Sequence, residues 1–170
     1  MPFTPFHFGP AAIARAIFPR HFSFTVFCFA QVVVDAEVPF YMVRGDGPLH
    51  RHLHTYAGAT AAALVALLAG RPLCRWALRA WDSTPDLPLK EFFDFTPKIS
   101  FVAAFVAAFA GAYSHVFLDS MLYGEMTPLM PFSDLNPAFD WIGPGALYGL
   151  CFVSGAIGAW LCARARKRKI

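Results

Sequence analysis

A run of mostly apolar residues from Ile99 to Leu118 constrains most strongly what this chain can fold into. An apolar segment of about 20 residues is long enough to cross the hydrocarbon core of a bilayer as one helix. The run ends in Ser-His115-Val-Phe-Leu-Asp119-Ser, so a histidine and an aspartate four residues apart share one helix face. A neutral imidazole and a carboxylate both suit zinc and similar divalent ions, which makes this pair a candidate metal site.

The composition extends the membrane interpretation to the whole chain. The sequence is 57% hydrophobic and 15% charged, and it contains 19 phenylalanines, whereas soluble domains are about 25% charged. A length of 170 residues predicts a single domain, residues 1–170. The net charge of +3 comes mostly from the basic tail over 164–169. Such a tail is more simply a cytoplasmic anchor near anionic headgroups than a site for nucleic acid, which we do not expect as a partner.

Apolar runs and helix-breaking residues predict an all-α membrane bundle of about five helices, with four to five spans. Pro39, Gly70 and Pro72 are expected to end or kink helices, and Pro48 is expected to begin one. The predicted segments are a short first helix over 5–18, helices over 22–38 and 48–70, an interfacial helix over 73–81, a connector over 82–98, a helix over 99–119, a loop over 120–142 and a last span over 145–163.

Basic residues are distributed unequally between the two ends of the predicted spans. Twelve lie on the side that holds the tail, the 71–98 region and the 19–21 turn, whereas the other side holds Arg44 and Arg51 only. The positive-inside rule therefore predicts a multi-pass protein with a cytoplasmic C-terminus. The acidic loop over 120–142 and the N-terminus then face outward.

Further candidate ligands lie at a similar depth on the other predicted helices. They are about 11 to 16 residues from the cytoplasmic boundary, which is about 16 to 24 Å along a helix. Ligand groups at one height on four helices are what a metal site in a bundle core requires. The sequence therefore predicts a site for one or two divalent ions, with zinc favoured. The predicted ligands are His7, Asp35, Glu37, His50, His54, His115 and Asp119.

Simpler structural roles compete with this interpretation. His7 alone is more often a packing residue, and Asp35 and Glu37 could form ion pairs with Arg44 or Arg51. However, two carboxylates in the last turn of an apolar helix oppose the helix dipole and lose hydration. One arginine cannot neutralise both, so a metal ion is the favoured partner.

At these positions the chain resembles the YdjM-like family of bacterial membrane-bound predicted metal-dependent hydrolases. The similar parts fall within residues 1–140 and are the N-terminal His7, Asp35-x-Glu37, His50-Arg-His-Leu-His54-Thr, and His115-x-x-x-Asp119 followed by Pro-Phe-Ser133. The family has an Asp-x-Asp type of pair, and its second histidine comes five residues after the first. The spacing of four in this chain leaves His52 open as an alternative to the favoured His54.

The resemblance implies an activity, because the family is distantly similar to zinc-dependent phospholipase C and nuclease-type phosphodiesterases. It implies a hydrolase of the bacterial inner membrane that cleaves a phosphoester. The predicted depth and orientation place the site open to the outer face, which suggests a lipid or lipid-linked substrate and membrane lipid as a partner. Asp35 and Glu37 are the candidate catalytic carboxylates, with Glu37 as general base or extra ligand.

Two other functions remain open for the same residues. A membrane metal-binding or transport protein would use the ligands without chemistry, although the inverted repeat expected of many transporters is not seen. In a purely structural membrane protein the polar groups would only pair with one another. The sequence leaves the oligomeric state open.

Overall fold

Helices make up all the regular secondary structure of the described residues. The computed structural model describes residues 4–83 and 98–167, so most of the predicted connector, Lys90 and the end of the basic tail lie outside the described residues. The helices in chain order are a 3-10 helix (Thr4–Phe8), α1 (Gly9–Ile17), α2 (Phe24–Asp35), α3 (Glu37–Arg44), α4 (Tyr56–Val65), a π-helical turn (Ala66–Gly70), α5 (Arg71–Ser83), α6 (Phe101–Ser120) and α7 (Pro144–Lys167). The predicted all-α class is confirmed.

Four helical stretches are long and apolar enough to cross a membrane, as judged by length and composition. Their mean hydropathy lies between 1.5 and 1.8. The first combines α2 with α3, the second runs from α4 through α5, and α6 and α7 supply the others. The stretches are Phe24–Arg44, Tyr56–Ser83, Phe101–Ser120 and Pro144–Ala165. The prediction of a multi-pass bundle with four to five spans agrees with this count.

Small residues bring the central helices close together. α6 packs against both α2 and α4, and every α6 residue that is buried before His115 is alanine or glycine, among them Ala104, Ala108 and Ala112. At Gly111 an added Cβ would lie 2.7 Å from the carbonyl oxygen of Phe27, so the two backbones meet there. Small side chains are the usual means of close helix packing in lipid, where burial of apolar surface adds little.

The last span, α7, packs mainly along α1. A Cβ at Gly9 would lie 1.9 Å from the carbonyl oxygen of Cys151, and one at Gly158 would lie 2.4 Å from the backbone of Ala12. Most of the α7 surface faces outward, because only 17% of its most apolar window is buried. α7 is thus attached to the bundle through the N-terminal segment.

The predicted helix over 48–70 begins later in the structure. α4 starts at Tyr56, and the Thr55 hydroxyl caps it by accepting a hydrogen bond from the Gly58 backbone N–H at 2.9 Å. The preceding residues are irregular because Glu37 accepts the backbone N–H groups of Arg51, Leu53 and His54, at 2.8, 2.9 and 3.2 Å. A buried carboxylate therefore takes donors and positions the chain where a first helical turn was predicted.

One predicted helix end is also corrected. Gly70 and Pro72 do not separate an interfacial helix over 73–81, because α4 continues into α5 through the π-helical turn. A wider π turn accommodates a residue that lacks a backbone N–H and crowds the preceding carbonyl. Pro39 does not end the second span but lies just after an interruption in it, which agrees with the expected kink: the helix is interrupted at Ala36, and Pro39 lies in the first turn of α3, where no partner for its N–H is needed.

Candidate metal centre

Three described helix ends meet on one side of the bundle and bring polar residues together there. Asp35 is the last residue of α2, His115 and Asp119 lie in the last turns of α6, and His54 comes just before the cap of α4. Side-chain atoms of these four residues, one from each, all lie within 4.8 Å of one another. We call them the His/Asp cluster.

The spacing inside the cluster fits a shared cation. The His115 Nε2 atom is 3.2 Å from Asp35 Oδ1 and 3.3 Å from Asp119 Oδ2. The His54 Nε2 atom is 3.6 Å from the same two oxygens. Two ligand atoms that are each about 2.1 Å from a tetrahedral zinc ion lie about 3.4 Å apart. The four nitrogen–oxygen separations are close to this value, and the two remaining pairs of ligand atoms lie within 4.8 Å.

Buried nitrogen and oxygen atoms point into the same space. His7 Nε2, His54 Nε2, His115 Nε2 and Asp119 Oδ1 are all buried, and within the described structure none makes a hydrogen bond of good geometry, although the three nitrogens lie 3.2 to 3.6 Å from carboxylate oxygens. A buried polar group without a partner costs about 1–3 kcal/mol, and four such groups in one place are rare. A cation bound among them would satisfy all four, so the residues present fit a metal ion.

His7 reaches the cluster from the N-terminal 3-10 helix. Its Nε2 atom is 3.4 Å from Asp119 Oδ1, and its ring packs edge-on against the His115 ring with centroids 4.8 Å apart. Burial lowers the pKa of His7 below its ordinary value, more than the charge of Asp119 raises it. A neutral imidazole with a free lone pair is the form that binds a metal, so His7 is a fifth candidate ligand.

Hydrogen bonds on the far side of the rings hold two histidines in the metal-binding tautomer. His54 Nδ1 donates to the Glu37 carboxylate at 2.7 Å, and His115 Nδ1 donates to the side-chain oxygen of Gln31. With Nδ1 as the donor in these bonds, Nε2 is the atom of each ring that faces the cluster, and its lone pair can bind a metal once Nε2 has lost its proton. Partners of this kind orient metal ligands and raise their basicity.

The structure places Glu37 behind His54 instead of in the cluster. Its Oε1 atom accepts from His54 Nδ1 and from the backbone N–H groups of Arg51 and His54, while Oε2 accepts from Leu53. Both oxygens are thus engaged in holding the loop. This position suits a residue that orients His54, and it does not suit the predicted role of general base or extra ligand.

His50 lies at the rim of the cluster. Its ring is edge-on to the His54 ring with centroids 4.7 Å apart and stacks on the Tyr123 ring at 4.1 Å. Its Nδ1 atom is 3.1 Å from Glu125 Oε1, and burial lowers its pKa despite that carboxylate. His50 therefore joins the cluster to the acidic loop, outside the four-residue group. His52 is exposed, so of the two histidines left open by the spacing it is His54 that reaches the cluster.

The electrostatics of the His54 ring show that the cluster attracts positive charge. Burial opposes protonation of His54, but the carboxylates of Asp119, Asp35 and Glu37 outweigh it and raise the pKa of His54 to about 10. A proton on this ring and a metal ion compete for the same Nε2 atom. Metal binding should accordingly release a proton and should weaken as the pH falls.

Arg44 and Arg51 were the alternative partners for Asp35 and Glu37, but the guanidinium groups of both arginines contact other residues. Arg44 Nε is 3.3 Å from Asp46 Oδ2. The Arg51 guanidinium donates to the carbonyls of Pro48 and Gly47 and lies over the Tyr41 ring at 4.1 Å. Arg51 meets Glu37 only through its backbone N–H.

The fold and the cluster together define a class of protein. They describe a multi-pass membrane protein with a buried Asp/His/His/Asp cluster that could hold a metal ion. Comparisons with protein-family models, curated proteins and solved structures found no match for this chain. The resemblance to the YdjM-like hydrolases therefore stays a prediction, and function is inferred from the site itself.

Proposed function

We propose that this protein is a membrane-embedded, metal-dependent hydrolase that acts on a phosphoester, and that its substrate is lipid or lipid-linked. The observation that supports it best is the convergence at one end of an apolar bundle of four buried nitrogen and oxygen atoms that make no hydrogen bond of good geometry. His54, His115 and Asp119 would hold the ion, and the fourth position would be left for a water beside Asp35. A bound zinc ion supplies a water of lowered pKa and stabilises negative charge on a phosphoryl oxygen.

Other residues would orient the ligands and remove a proton from the water. Glu37 and Gln31 orient His54 and His115 through their Nδ1 atoms. Asp35 is the most exposed member of the cluster, with 24% of its side chain accessible, compared with 3% or less for the others. We assign to its carboxylate the removal of a proton from the attacking water, because it lies where water can reach it.

A transport function is less well supported by the packing. All the buried polar and charged side chains of the described residues, apart from Ser23, belong to the cluster or lie beside it. Towards the other end of the bundle the core is apolar and includes Phe22, Leu67, Leu78 and Ile99. An ion bound at the cluster would find no polar path across that core, whereas an enzyme needs access from one side only.

The test of the proposed function is hydrolysis by the purified protein in detergent. We expect cleavage of bis-p-nitrophenyl phosphate and of a phospholipid, loss of both with a chelator, and recovery on addition of zinc. The variant His54→Ala should be inactive, whereas His52→Ala, which changes an exposed histidine in the same segment, should match the wild type. Activity that ignores the chelator, or that survives His54→Ala, would contradict the proposal.

Removal of the Glu37 charge should weaken metal binding without abolishing it. In Glu37→Gln the His54 ring loses the carboxylate that orients it, and such changes typically cost about 10- to 100-fold in metal affinity. Competition with a chelator of known affinity measures the change. Glu125→Gln is the matched control, since Glu125 contacts His50 at the rim and should shift the affinity far less. Equal affinities for the wild type and Glu37→Gln would show that this carboxylate does not support the site.

The proposed orientation puts the C-terminus in the cytoplasm and the His/Asp cluster near the outer face of a bacterial inner membrane. It is supported by the basic residues, which are concentrated at the opposite end of the spans from the cluster. Two reporters should be fused after Ile170, one that is active only in the cytoplasm and one that is active only outside it. We expect the first to be active and the second to be inactive. If a reporter that folds outside the cytoplasm is the active one, the orientation is reversed and the site opens inward.

A further inference from the structure

An apolar groove lies beside the His/Asp cluster, between the N-terminal segment and α7. Its volume is about 400 Å³. None of the side chains that line it is charged, and none carries a hydroxyl or an amide group. Its walls include Phe6, Phe8, Phe24, Phe152, Ala156 and Ala159. A polar ligand would find nothing to bind in this groove, so its occupant must be apolar.

The groove opens toward the side of the bundle that faces lipid. Its α7 wall belongs to a candidate membrane span, and Phe152 on that wall is 68% exposed. At that depth the surroundings of the protein are hydrocarbon chains, because no water is present in the bilayer core. The groove therefore has access to acyl chains without a path through water.

The groove and the candidate metal site are adjacent at His7. Phe6 and Phe8 line the groove, and His7 lies between them. Side chains of successive residues in a 3-10 helix point about 120° apart, so one turn can direct a histidine inward and two phenylalanines to other sides. The Phe6 ring packs on Tyr148 and the Phe8 ring on Phe24, with centroids 5.4 and 6.4 Å apart. The wall of the groove and a candidate ligand thus share one short helix.

Small residues keep the groove open. Gly9 lets α1 and α7 touch at their backbones, as the Cβ distance of 1.9 Å to the Cys151 carbonyl shows. Beside that contact, Ala156 and Ala159 leave space that larger side chains of the same helix would fill. The helices therefore meet closely at Gly9 and Gly158, and the groove lies beside these contacts.

We propose that this groove binds an acyl chain of the substrate, so that the substrate is a long-chain lipid phosphoester whose headgroup lies at the His/Asp cluster. This inference rests on the proposed function, because the groove can hold part of a substrate only if the cluster beside it is a catalytic site. A phospholipid has an apolar acyl chain and an anionic headgroup next to each other. The apolar groove suits the chain, and the adjacent His/Asp cluster, with its cation, suits the headgroup. A water-soluble phosphoester would use the cluster alone.

The first arm of the test separates long-chain from short-chain substrates. Ala156→Leu and Ala159→Leu fill the groove, and Ala163→Leu makes the same change at an exposed α7 position that does not line the groove. For the filled variants we expect kcat/KM to fall at least about tenfold with a dipalmitoyl phospholipid. Cleavage of bis-p-nitrophenyl phosphate and metal content should stay at the wild-type level. Equal losses on both substrates, or no loss on either, would overturn the proposal.

The second arm detects binding in the groove without any need for turnover. A phosphatidylglycerol with a diazirine in its acyl chain should label Phe6, Phe8 or Phe152 in the wild type, and Ala156→Leu should reduce that labelling while Ala163→Leu should not. Labelling spread evenly along the outer surface of α7 would show ordinary surrounding lipid and would overturn the acyl site. Labelling of the groove by a protein that hydrolyses neither substrate would refute the proposed function, and the groove would then be a lipid site without a substrate.

Discussion

Asp119→Asn should remove the metal from the protein and leave the fold intact. Asp119 faces three imidazole nitrogens, those of His7, His54 and His115, at 3.3 to 3.6 Å. Asparagine keeps the size of the side chain but removes the charge that offsets a cation. Changes in residues that only orient the ligands lower metal affinity by up to roughly 100-fold. Because Asp119 is itself a ligand, we expect a larger loss for Asp119→Asn.

The stability of Asp119→Asn distinguishes a metal site from a structural ion pair. Histidines can lose their protons, so the metal-free variant is not left with a charge that it cannot neutralise, and its free energy of unfolding should stay within about 1 kcal/mol of the metal-free wild type. Loss of the partner of a buried arginine would instead cost about 3–5 kcal/mol.

Thermal unfolding and metal content, each with and without a chelator, measure both effects. Zinc should stabilise the wild type, by about 4 kcal/mol at a thousand times the dissociation constant, and should not stabilise the variant. Asp134→Asn, the same change at an exposed loop position, is the control and should behave as the wild type. A variant that keeps its metal, or that unfolds while the wild type ignores the chelator, would contradict the assignment.

Gly58→Ala should disrupt the site although Gly58 touches none of the ligands. A Cβ at this position would lie 1.9 Å from the carbonyl oxygen of His52 and 2.7 Å from Leu53 Cα. Both are backbone atoms, so the segment that carries His54 must move as a whole. We expect a destabilisation of about 1–3 kcal/mol, the usual cost of overpacking, together with weaker metal binding because His54 is displaced.

Gly149→Ala is the matched control for this change. Gly149 is exposed on α7 and has open space around the position of an added Cβ. Alanine has the higher helix propensity, so this variant should be neutral or more stable by up to about 1 kcal/mol. Melting temperatures and chelator competition in detergent compare the two. If Gly58→Ala binds metal as the wild type does, the close approach at His52 does not hold the ligand segment in place.

The helices can be predicted because their signals are local. Long apolar runs and the residues that interrupt them locate the spans, and the spacing of four between His115 and Asp119 places both on the buried face of α6. The sequence around Pro72 does not show whether the helix ends there or continues. A π-helical turn accommodates this residue, and nothing in the neighbouring residues distinguishes that outcome from a helix end.

The position of His54 cannot be derived from local pattern, because it depends on a contact 17 residues away. Glu37 holds both the His54 ring and the backbone around it, and these contacts replace the predicted helical turn. A carboxylate in an apolar segment is a sign of an unusual partner, and the pattern of the sequence favours a metal ion in that place. The structure shows that Glu37 instead binds the residue that faces the metal site.

The orienting role of Gln31 and the stacking of Tyr123 on His50 also lie beyond what the sequence predicts. Gln31 is polar and lies within a predicted span, which indicates an interhelical hydrogen bond, and it does lie between α2 and α6. That its partner is a candidate ligand follows only from the relative rotation of two helices. Tyr123 lies in an irregular loop, where sequence patterns carry little information about contacts.

The most direct test of the central claim is the metal content of the wild-type protein, purified in detergent without added metal and measured by elemental analysis. We expect about one or two divalent ions per chain, with zinc favoured. The preparation of His115→Ala made beside it should be free of metal. A wild type with no more metal than His115→Ala, and with the same melting temperature whether or not chelator is present, would contradict the claim that the His/Asp cluster is a metal site.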